Sequence, residues 1–442
     1  MRVFCQNWPV LRGYTGALTK MPDQEIQLSV VATSRNDDHG GSLTRRTQHF
    51  IDGLIAQCKR HQLRAELILV EWNPPPERAP LIEELRWPAD PGPCDIRIVT
   101  VPSEVHRTFQ HADKLGLFQM LAKNAGIRRA RGKFILATNI DILFSDDVMR
   151  FLRDRMQPGY LYLADRVDVP ADVPTLDDFS GVLKFCEEGA FRVNAGALTV
   201  ERRAERWRYR DMLKTSVDAR AGYVLDLIEK FLVENCFELS ASAVTNPRWA
   251  FRRILGHGLA AAAIRPGGPS AGRRSSARIS RFRLALMLLS GSWAIARRMA
   301  SGMAKGLLQM RVPFTNACGD FTAMSREDWN RVRGYAEWHT YSWHLDSLLI
   351  YQALGCGVRA RRLPPRARVY HIDHSGGYAP QRAAELFEQL KERGIPFITD
   401  EDLLRLHAGI SEKKRSGQDL QFNETGWGLA KQPLPEAQPA AL

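Results

Sequence analysis

The chain has 442 residues, 44% hydrophobic and 25% charged, a composition typical of a soluble protein with two or three modules and a sizeable core. Seven scattered cysteines without CxxC spacing predict a reducing cytoplasm and argue against a disulfide framework or a zinc cluster. The first residues lack an apolar segment behind a basic start, and the longest apolar run, Leu284 to Leu289, is far shorter than the ~20 residues that span a bilayer. We therefore expect neither a signal peptide nor a transmembrane helix.

The net charge of +13 comes from one segment of the chain. Between Leu239 and Gly319 there is no Asp or Glu, whereas 13 of the 62 Lys and Arg residues lie there. The remaining 49 basic residues equal the 49 acidic residues in number. The basic excess is therefore a property of this segment and not of the whole protein.

Three apolar runs followed by polar turns predict the first strands of a sheet. They are Ile26–Ala32, Leu67–Val70 and Ile96–Val101, with a helix over Leu43–His61 after the first run. Short continuous apolar runs are typical of strands covered on both faces. Strands that alternate with helices at this pitch indicate a doubly wound, mostly parallel sheet, so the predicted fold class is α/β.

The clearest chemical signal follows a predicted helix over Ala112–Arg129. After a break at Gly132, the apolar run Phe134–Ala137 predicts a strand that ends in Asn139 and Asp141. In an open α/β sheet, ligands bind beyond the carboxyl ends of the strands. Two hard oxygen ligands at this place suit a divalent cation that is shared with a diphosphate. The alternative is that Asp141 only caps a turn.

The strings LSVVATSRND, LILVEWNPP and KNAGIRRARGKFILATNID resemble the nucleotide-sugar-binding half of a GT-A glycosyltransferase of the family 2-like type. In that family, a helix with an Asn-x-Gly element precedes a strand whose closing Asp-x-Asp holds the metal on the nucleotide diphosphate. Asn124 and Gly126 match the first element, and Asn139 and Asp141 match the metal motif. Asn139 stands where Asp is usual, so the site would have one charge fewer.

The resemblance also implies the nucleotide contacts. Asp37 or Asp38, after the first strand, and Glu71, after the second, would lie near the nucleoside, and Lys123 and Asn124 would belong to the same site. Carboxylates suit this position because they accept hydrogen bonds from ribose hydroxyls or a base N–H. The alternative is that these acids are solvated loop residues.

A second informative stretch contains Asp320 and resembles the acceptor side of the same family. The segment 334–337 (GYAE) matches its Gly-aromatic-x-Glu element, and Asp346 matches the usual catalytic base of inverting members. His344 and Leu345 stand where acidic residues are commoner. A carboxylate near a metal-bound diphosphate can take the proton of an acceptor hydroxyl, which makes Asp346 the first candidate base and Asp320 the second. Asp346 could instead only cap its helix.

A histidine after the last core strand often completes the metal site of GT-A enzymes. His371 and His374, which flank Asp373, both fit that position, and His374 is preferred because it lies at a glycine loop. Imidazole is a better ligand for Mn²⁺ than for Mg²⁺. The predicted cofactor is therefore a divalent metal, Mn²⁺ or Mg²⁺, held by Asn139, Asp141 and His374.

The predicted organisation has an irregular lead-in, two GT-A halves around a basic helical insert, and a flexible tail. The ranges are 1–25 for the lead-in, 26–200 for the nucleotide-sugar half, 201–311 for the insert, 312–410 for the acceptor half and 411–442 for the tail. Mixed charges over Glu201–Asp211 predict a solvated helix face. The stripe over 279–311 predicts an amphipathic helix that either lies on an anionic membrane surface or packs on the sheet. Nucleic-acid binding is disfavoured because no aromatic platform accompanies the arginines.

The sequence thus predicts a metal-dependent, inverting, hexosyltransferase-like glycosyltransferase with a nucleotide-diphosphate sugar as donor, UDP-sugar favoured. The acceptor would be a glycan or a lipid-linked molecule, and the enzyme would be cytoplasmic, with attachment to the inner face of the membrane left open. A sugar-phosphate nucleotidyltransferase is the first alternative, although Gly40-Gly41 with Arg45 is a poor version of its glycine-rich loop. A degenerate GT-A domain that acts as a membrane-surface scaffold is the second, because of the departures at Asn139 and His344.

Overall fold

The computed structural model describes residues 25–175, 178–195, 198–203, 206–212, 315–374 and 380–439. The strands in these ranges are β1 Leu28–Ser34, β2 Ala65–Trp72, β3 Cys94–Val101, β4 Phe134–Thr138, β5 Ile142–Phe144, β6 Tyr160–Leu163, β7 Asp165–Val169, β8 Arg192–Ala195, β9 Leu198–Arg203, β10 Arg206–Met212, β11 Phe321–Ser325, β12 Arg359–Arg362, β13 Arg368–Ile372 and β14 Glu436–Ala437. The helices are α1 Leu43–His61, α2 Leu81–Glu84, α3 Ser103–His106, α4 Gln119–Arg129, α5 Asp146–Asp154, α6 Phe179–Gly189, α7 Arg326–Val332, α8 Leu345–Gly355, α9 Pro380–Glu392 and α10 Asp400–Ser416.

The larger of two sheets has the strand order β12-β6-β11-β4-β1-β2-β3-β14. β1 pairs in parallel with β2 and β4, β2 with β3, and β12 with β6. β11 runs antiparallel to both of its neighbours, so β6 keeps the direction of β4, and β14 is antiparallel to β3. The predicted α/β class with a mostly parallel sheet is confirmed.

Helices cover both faces of this sheet, because its inner strands are apolar on both sides. α1 and α5 pack on one face, where Phe50 and Val148 join Val30 and Leu136 in a common core. α4, α7 and α8 pack on the other face around Val31 and neighbouring side chains. The strands therefore read as continuous apolar runs in the sequence.

The close packing of α4 on the sheet depends on Gly126. A Cβ at this position would lie 2.5 Å from Val31 Cγ1 and 2.9 Å from Val70 Cγ2. Real side chains do not approach so closely, so any larger residue would push α4 away from β1 and β2. The glycine of the Asn-x-Gly element thus has a packing role.

The smaller sheet has the strand order β10-β9-β8-β7-β13-β5 and lies next to the carboxyl ends of β4 and β6. The chain leaves the large sheet at Thr138 and enters the small sheet at Ile142. It crosses again between Leu163 and Asp165, with only Ala164 between β6 and β7. Two short connections therefore join the large sheet to the small sheet.

Two local predictions differ from the structure, and a third lies outside the described residues. The helix expected over Ala112–Arg129 begins only at Gln119, after the single turn of α3 and a run of irregular turns. Within the segment Glu201–Asp211, expected to be a solvated helix face, residues 201–203 belong to β9 and residues 206–211 to the antiparallel strand β10. Alternating β-forming residues such as Trp207 and Tyr209 favour strands over a helix. The basic stripe over 279–311, the predicted membrane surface, lies outside the described residues, and no helix among those that are described is long and apolar enough to span a bilayer.

The residues beyond 411 differ from the flexible tail that the sequence predicts. α10 continues to Ser416, and Trp427 is buried with 2% of its surface exposed. The Arg129 side chain donates to the carbonyls of Gly428, Leu429 and Gln432, and β14 pairs with the edge of β3. A Pro- and Ala-rich composition suggested disorder, whereas these carbonyls and the open edge of β3 supply the partners that hold the segment.

Candidate functional site

Three metal-ligating side chains meet at the junction of the two sheets. Asp141 lies between β4 and β5, His371 lies in β13, and His374 follows two residues after that strand. The Oδ2 atom of Asp141 is 3.2 Å from His374 Nε2 and 3.8 Å from His371 Nε2. One ligand atom from each residue lies within 4.8 Å of the others. We call these three residues the metal group.

The electrostatics of Asp141 favour its charged form. Burial pushes the pKa of this carboxyl upward, but His371, His374 and Arg46 outweigh burial and hold the pKa well below its ordinary value. Its Oδ1 atom is buried and has no hydrogen-bond partner. A buried, charged carboxylate with one unused oxygen beside two imidazoles fits a divalent cation such as Mn²⁺, which accepts oxygen and nitrogen ligands.

The loop between β1 and α1 packs directly on the metal group. The buried guanidinium of Arg46 lies 3.1 Å from Asp141 Oδ2 and also donates to the carbonyls of His39 and Gly41. Gly40, with φ of +76°, approaches His374 so closely that a Cβ would lie 2.5 Å from His374 Nδ1. The loop between β1 and α1 is therefore in direct contact with the metal group.

The acids predicted to contact the nucleoside have different environments. Asp37 is exposed in this loop and forms an ion pair of 2.9 Å with Arg35. Asp38 is also exposed, and its Oδ1 accepts a hydrogen bond from the Leu43 N–H at the start of α1. Glu71 is buried, and its Oε1 accepts from the Leu81 N–H. Burial raises the pKa of Glu71, and its carboxyl caps α2, in contrast to the predicted nucleoside contact.

Asn139 contacts Asp320 through its amide group. Its Nδ2 donates to Asp320 Oδ1 over 2.7 Å, and its Oδ1 accepts from Gln119 Nε2 over 3.1 Å. The other Asp320 oxygen accepts from Arg166 Nη1 over 2.8 Å. The structure thus brings Asn139 and Asp320 together, but both ends of the Asn139 amide are engaged there, in contrast to the predicted ligand role beside Asp141.

A chain of buried charges joins Asp320 to the metal group. Arg166 lies 2.8 Å from an oxygen of Asp320 and 2.8 Å from Asp168 Oδ1, and that oxygen lies 3.2 Å from His371 Nδ1. Burial opposes the charge on each group. The carboxylates of Asp168 and Asp320 nevertheless raise the pKa of Arg166, and Arg166, with smaller help from His371 and Arg192, lowers that of Asp168. Asp141 and Asp168 likewise raise the pKa of His371 against burial and the nearby Arg166.

Lys123 lies among the acids of both halves of the site. Its ammonium is completely buried, donates to the Gly319 carbonyl over 2.8 Å, and interacts with Asp320, Asp346 and Asp141. Burial lowers the pKa of Lys123 to about 8, although the three carboxylates oppose this shift. This lysine therefore neutralises part of the negative charge of Asp141, Asp320 and Asp346.

Asp346 lies in the first turn of α8 and is half-buried. Its Oδ1 accepts from the Ser347 N–H, and its Oδ2 lies close to Gly319, where a Cβ would be 2.8 Å away. Burial, followed by the Asp346 carboxylate, raises the pKa of the neighbouring Cys318 thiol and so favours its protonated form. Asp346 keeps partial access to solvent, whereas Asp320 is buried with both oxygens in use.

Asn124 connects α4 to the segment that follows α7. Its Nδ2 donates to the Tyr335 carbonyl and to Glu337 Oε1, and its Oδ1 accepts from the Tyr335 N–H. The side chain is fully buried. These three bonds leave no donor of Asn124 for a nucleotide, so the structure differs from the predicted contact and assigns the residue a clamping role.

Sequence patterns did not indicate three of the charged residues at the site. Arg46 lies within the helical run LTRRTQ, where a buried arginine looks the same as a solvated one. Arg166 and Asp168 alternate in RVDV, a spacing that places both on one face of a strand but does not reveal what that face contacts. His371, which sequence analysis considered beside His374, belongs to the metal group together with it.

Comparisons with known proteins identified structural neighbours only. No family model and no curated protein matches the chain. A crystal structure of GalNAc-T7 with UDP, GalNAc and Mn²⁺ aligns with 13% identity and a TM-score of 0.36, and covers 89% of this chain and 56% of that one. The galactosyltransferase LgtC in complex with donor and acceptor sugar analogues aligns with 14% identity and a TM-score of 0.20, and covers 35% and 50%. The chain spans about half the length of each neighbour, and scores this low do not by themselves define a function.

Proposed function

We propose that the chain is a metal-dependent glycosyltransferase of the GT-A type that moves a sugar from a nucleotide-diphosphate donor to an acceptor hydroxyl. The observation that carries this proposal is the metal group of Asp141, His371 and His374 at the carboxyl end of β4, next to the loop that follows β1. Ligands of open α/β sheets bind at such an edge. The match of 123–141 to the GT-A motif supports the same assignment.

Asp141, His371 and His374 would hold the cation. A cation there, when bound, would neutralise the diphosphate of the donor and of the departing nucleotide. Asp141 is suited to this role because its Oδ1 has no other partner and its charge is stabilised despite burial. Arg46 binds Oδ2, the same oxygen that faces the two histidines, and would keep the orientation of the carboxylate constant during turnover.

Asp346 is the better candidate for the general base. A base needs an oxygen that can reach the acceptor hydroxyl, and Asp346 is half-buried at the start of a helix. Asp320 has both oxygens bonded, to Asn139 and Arg166, and would position other groups. Direct attack on the anomeric carbon with proton transfer to Asp346 would give inversion, an assignment that depends on resemblance to the family.

A UDP-sugar donor and a glycan or lipid-linked acceptor are the substrates that we favour. The experiment is thermal unfolding with UDP, GDP, dTDP or ADP, each with and without Mn²⁺, on the natural chain and on Asp141→Ala. Ligand at about 100 times its dissociation constant should stabilise the folded state by roughly 2.7 kcal/mol. We expect a metal-dependent shift with one nucleotide that Asp141→Ala abolishes.

Matched variants separate binding from chemistry. Asp147→Ala removes a half-buried aspartate that pairs with Arg150 in the first turn of α5, and should leave the nucleotide shift unchanged. Asp346→Asn should keep the shift but abolish transfer of labelled sugar to an acceptor or to water. If no nucleotide shifts the unfolding temperature of the natural chain, the glycosyltransferase proposal is wrong and a non-catalytic scaffold is the better explanation.

A further inference from the structure

We infer that Asp168 is a positioning residue that orients His371 for metal binding. This inference builds on the metal group of the proposed function, but it concerns a carboxylate that does not itself belong to that group. Asp168 Oδ1 lies 3.2 Å from His371 Nδ1, on the side of the ring away from Asp141. Histidine ligands of metals commonly direct their second ring nitrogen at such a carboxylate, which sets the tautomer and the ring orientation.

The sheet itself places the two residues side by side. β13 pairs in parallel with β7 in a register that sets His371 opposite Asp168. On its other edge β13 pairs with β5, where His371 is opposite Ile142, and the Ile372 N–H donates to the Asp141 carbonyl. The backbones of the carboxylate, the histidine and the metal-group aspartate are therefore fixed by the same small sheet.

The Asp168 carboxylate cannot turn away from the histidine. Arg166 Nη2 donates to Oδ2 over 3.3 Å, and Arg166 Nε forms a charge contact of 2.8 Å with Oδ1. Arg192 Nη1 lies 3.0 Å from Oδ2, and Asn194 Nδ2 donates to the same oxygen over 3.5 Å. The side chain is completely buried, so water does not compete for its oxygens. Three side chains thus make four contacts with the carboxylate, three of them on Oδ2, and provide a rigid support.

The position of Asp168 determines which ring nitrogen is available. A carboxylate beside Nδ1 favours the tautomer with the proton on Nδ1, and this leaves the lone pair on Nε2. Nε2 is the atom that faces Asp141, 3.8 Å from its Oδ2. Without Asp168, the ring could carry its proton on Nε2 or rotate about χ2, and the metal group would lose a ligand for part of the time.

The alternative is that Asp168 only neutralises Arg166 and Arg192. A matched pair of variants separates the two roles. Asp168→Asn removes the charge beside His371, whereas Glu201→Gln removes a carboxylate that lies 2.9 Å from Arg192 Nε in the same cluster. Glu201 is paired with Arg192 and not with the histidine, so a loss of general charge balance would affect both variants.

Mn²⁺ binding is the readout, measured on the full chain by electron paramagnetic resonance without nucleotide. We expect Asp168→Asn to weaken Mn²⁺ binding about 10- to 100-fold, the usual loss when a carboxylate that supports a metal ligand is removed. Glu201→Gln should leave the Mn²⁺ affinity within about 3-fold of that of the natural chain. Equal Mn²⁺ affinity of Asp168→Asn and the natural chain would overturn the inference. If the natural chain itself binds no Mn²⁺, the proposed function fails first, and the two failures are thus distinguishable.

A measurement on the natural chain covers the case in which Asp168→Asn does not fold. ¹⁵N-labelled histidines are observed by NMR while Cd²⁺ is added, with His371→Gln used for assignment. We expect Cd²⁺ to shift the Nε2 resonance of His371 while Nδ1 keeps its proton. A metal shift at Nδ1 would show that Asp168 does not set the ring orientation.

Discussion

Replacing Asn124 with alanine tests whether the asparagine of the Asn-x-Gly element clamps the fold or contacts the nucleotide. The variant removes the bonds between Asn124 and both backbone groups of Tyr335 and the bond to Glu337 Oε1. Two of them are neutral hydrogen bonds worth about 1 kcal/mol each, and one joins a carboxylate and is worth about 1.5–3 kcal/mol. We expect Asn124→Ala to lower the free energy of unfolding by about 3.5–5 kcal/mol.

The assay is urea unfolding followed by tryptophan fluorescence, with the slope m compared between variants to verify that the same surface is exposed. Asn330→Ala, which changes an exposed asparagine on α7, is the control and should stay within about 0.5 kcal/mol of the natural chain. Nucleotide affinity of folded Asn124→Ala, measured below the unfolding transition, should change little. An unfolding free energy close to that of the natural chain, together with lost nucleotide binding, would refute the clamping role.

Three further predictions follow from the site and the C-terminal segment. Gly40→Ala should weaken Mn²⁺ binding because its Cβ would displace His374. Gly41→Ala is the control: its φ of +75° is similar and the space around it is open, so it should strain the loop equally without weakening Mn²⁺ binding. Equal Mn²⁺ affinities of the two variants would contradict this prediction. Burial lowers the pKa of Lys123 from 10.5 in the unfolded chain to about 8 in the folded state. The buried charge of Lys123 should therefore destabilise the folded state fully below pH 8, and this destabilisation should disappear above about pH 10.5. The unfolding free energy of the natural chain should therefore rise by about 3 kcal/mol relative to Lys123→Gln over this interval, and a constant difference would argue against a buried charge. Trp427→Ala should lower the free energy of unfolding by about 3–5 kcal/mol, because this side chain is buried. It should also speed hydrogen exchange in β3, because β14 of the C-terminal segment pairs with that strand. Unchanged exchange in β3 would show that β14 pairs without the tryptophan.

Local patterns in the sequence were sufficient for strands β1 to β4 of the large sheet and for Asp141 and His374 of the metal group. The apolar runs of β1 to β4 are covered on both faces, so their composition alone distinguishes them from turns. Asp141 and His374 both follow such runs, where the general position of ligand sites in α/β sheets identifies them. These predictions needed no knowledge of distant contacts.

The small sheet and the contacts of Asn124 and Arg46 could not be predicted in the same way. YLYLADRVDV reads as one strand, yet it divides at Ala164 because its two parts pair with segments far away in the chain. Asn124 and Arg46 have side chains that commonly face solvent or ligand, and only the approach of Tyr335 and Asp141 determines what they bind. These contacts depend on pairing between residues that are far apart in the chain, and local patterns in the sequence do not reveal such pairing.

The central place of β11 in the large sheet has a consequence for how the protein is made. β11 fills the gap between β4 and β6, and Thr138 on β4 donates to the Asp320 carbonyl from 182 residues earlier in the chain. At about 5–20 residues per second, a ribosome needs roughly 10–40 s to synthesise that interval, during which β4 lacks its partner β11. Unpaired edges of this kind recruit strands from other molecules. Lower growth temperatures or co-expressed chaperones should therefore improve the soluble yield. A chain truncated before residue 321 should aggregate instead of forming a stable N-terminal fragment.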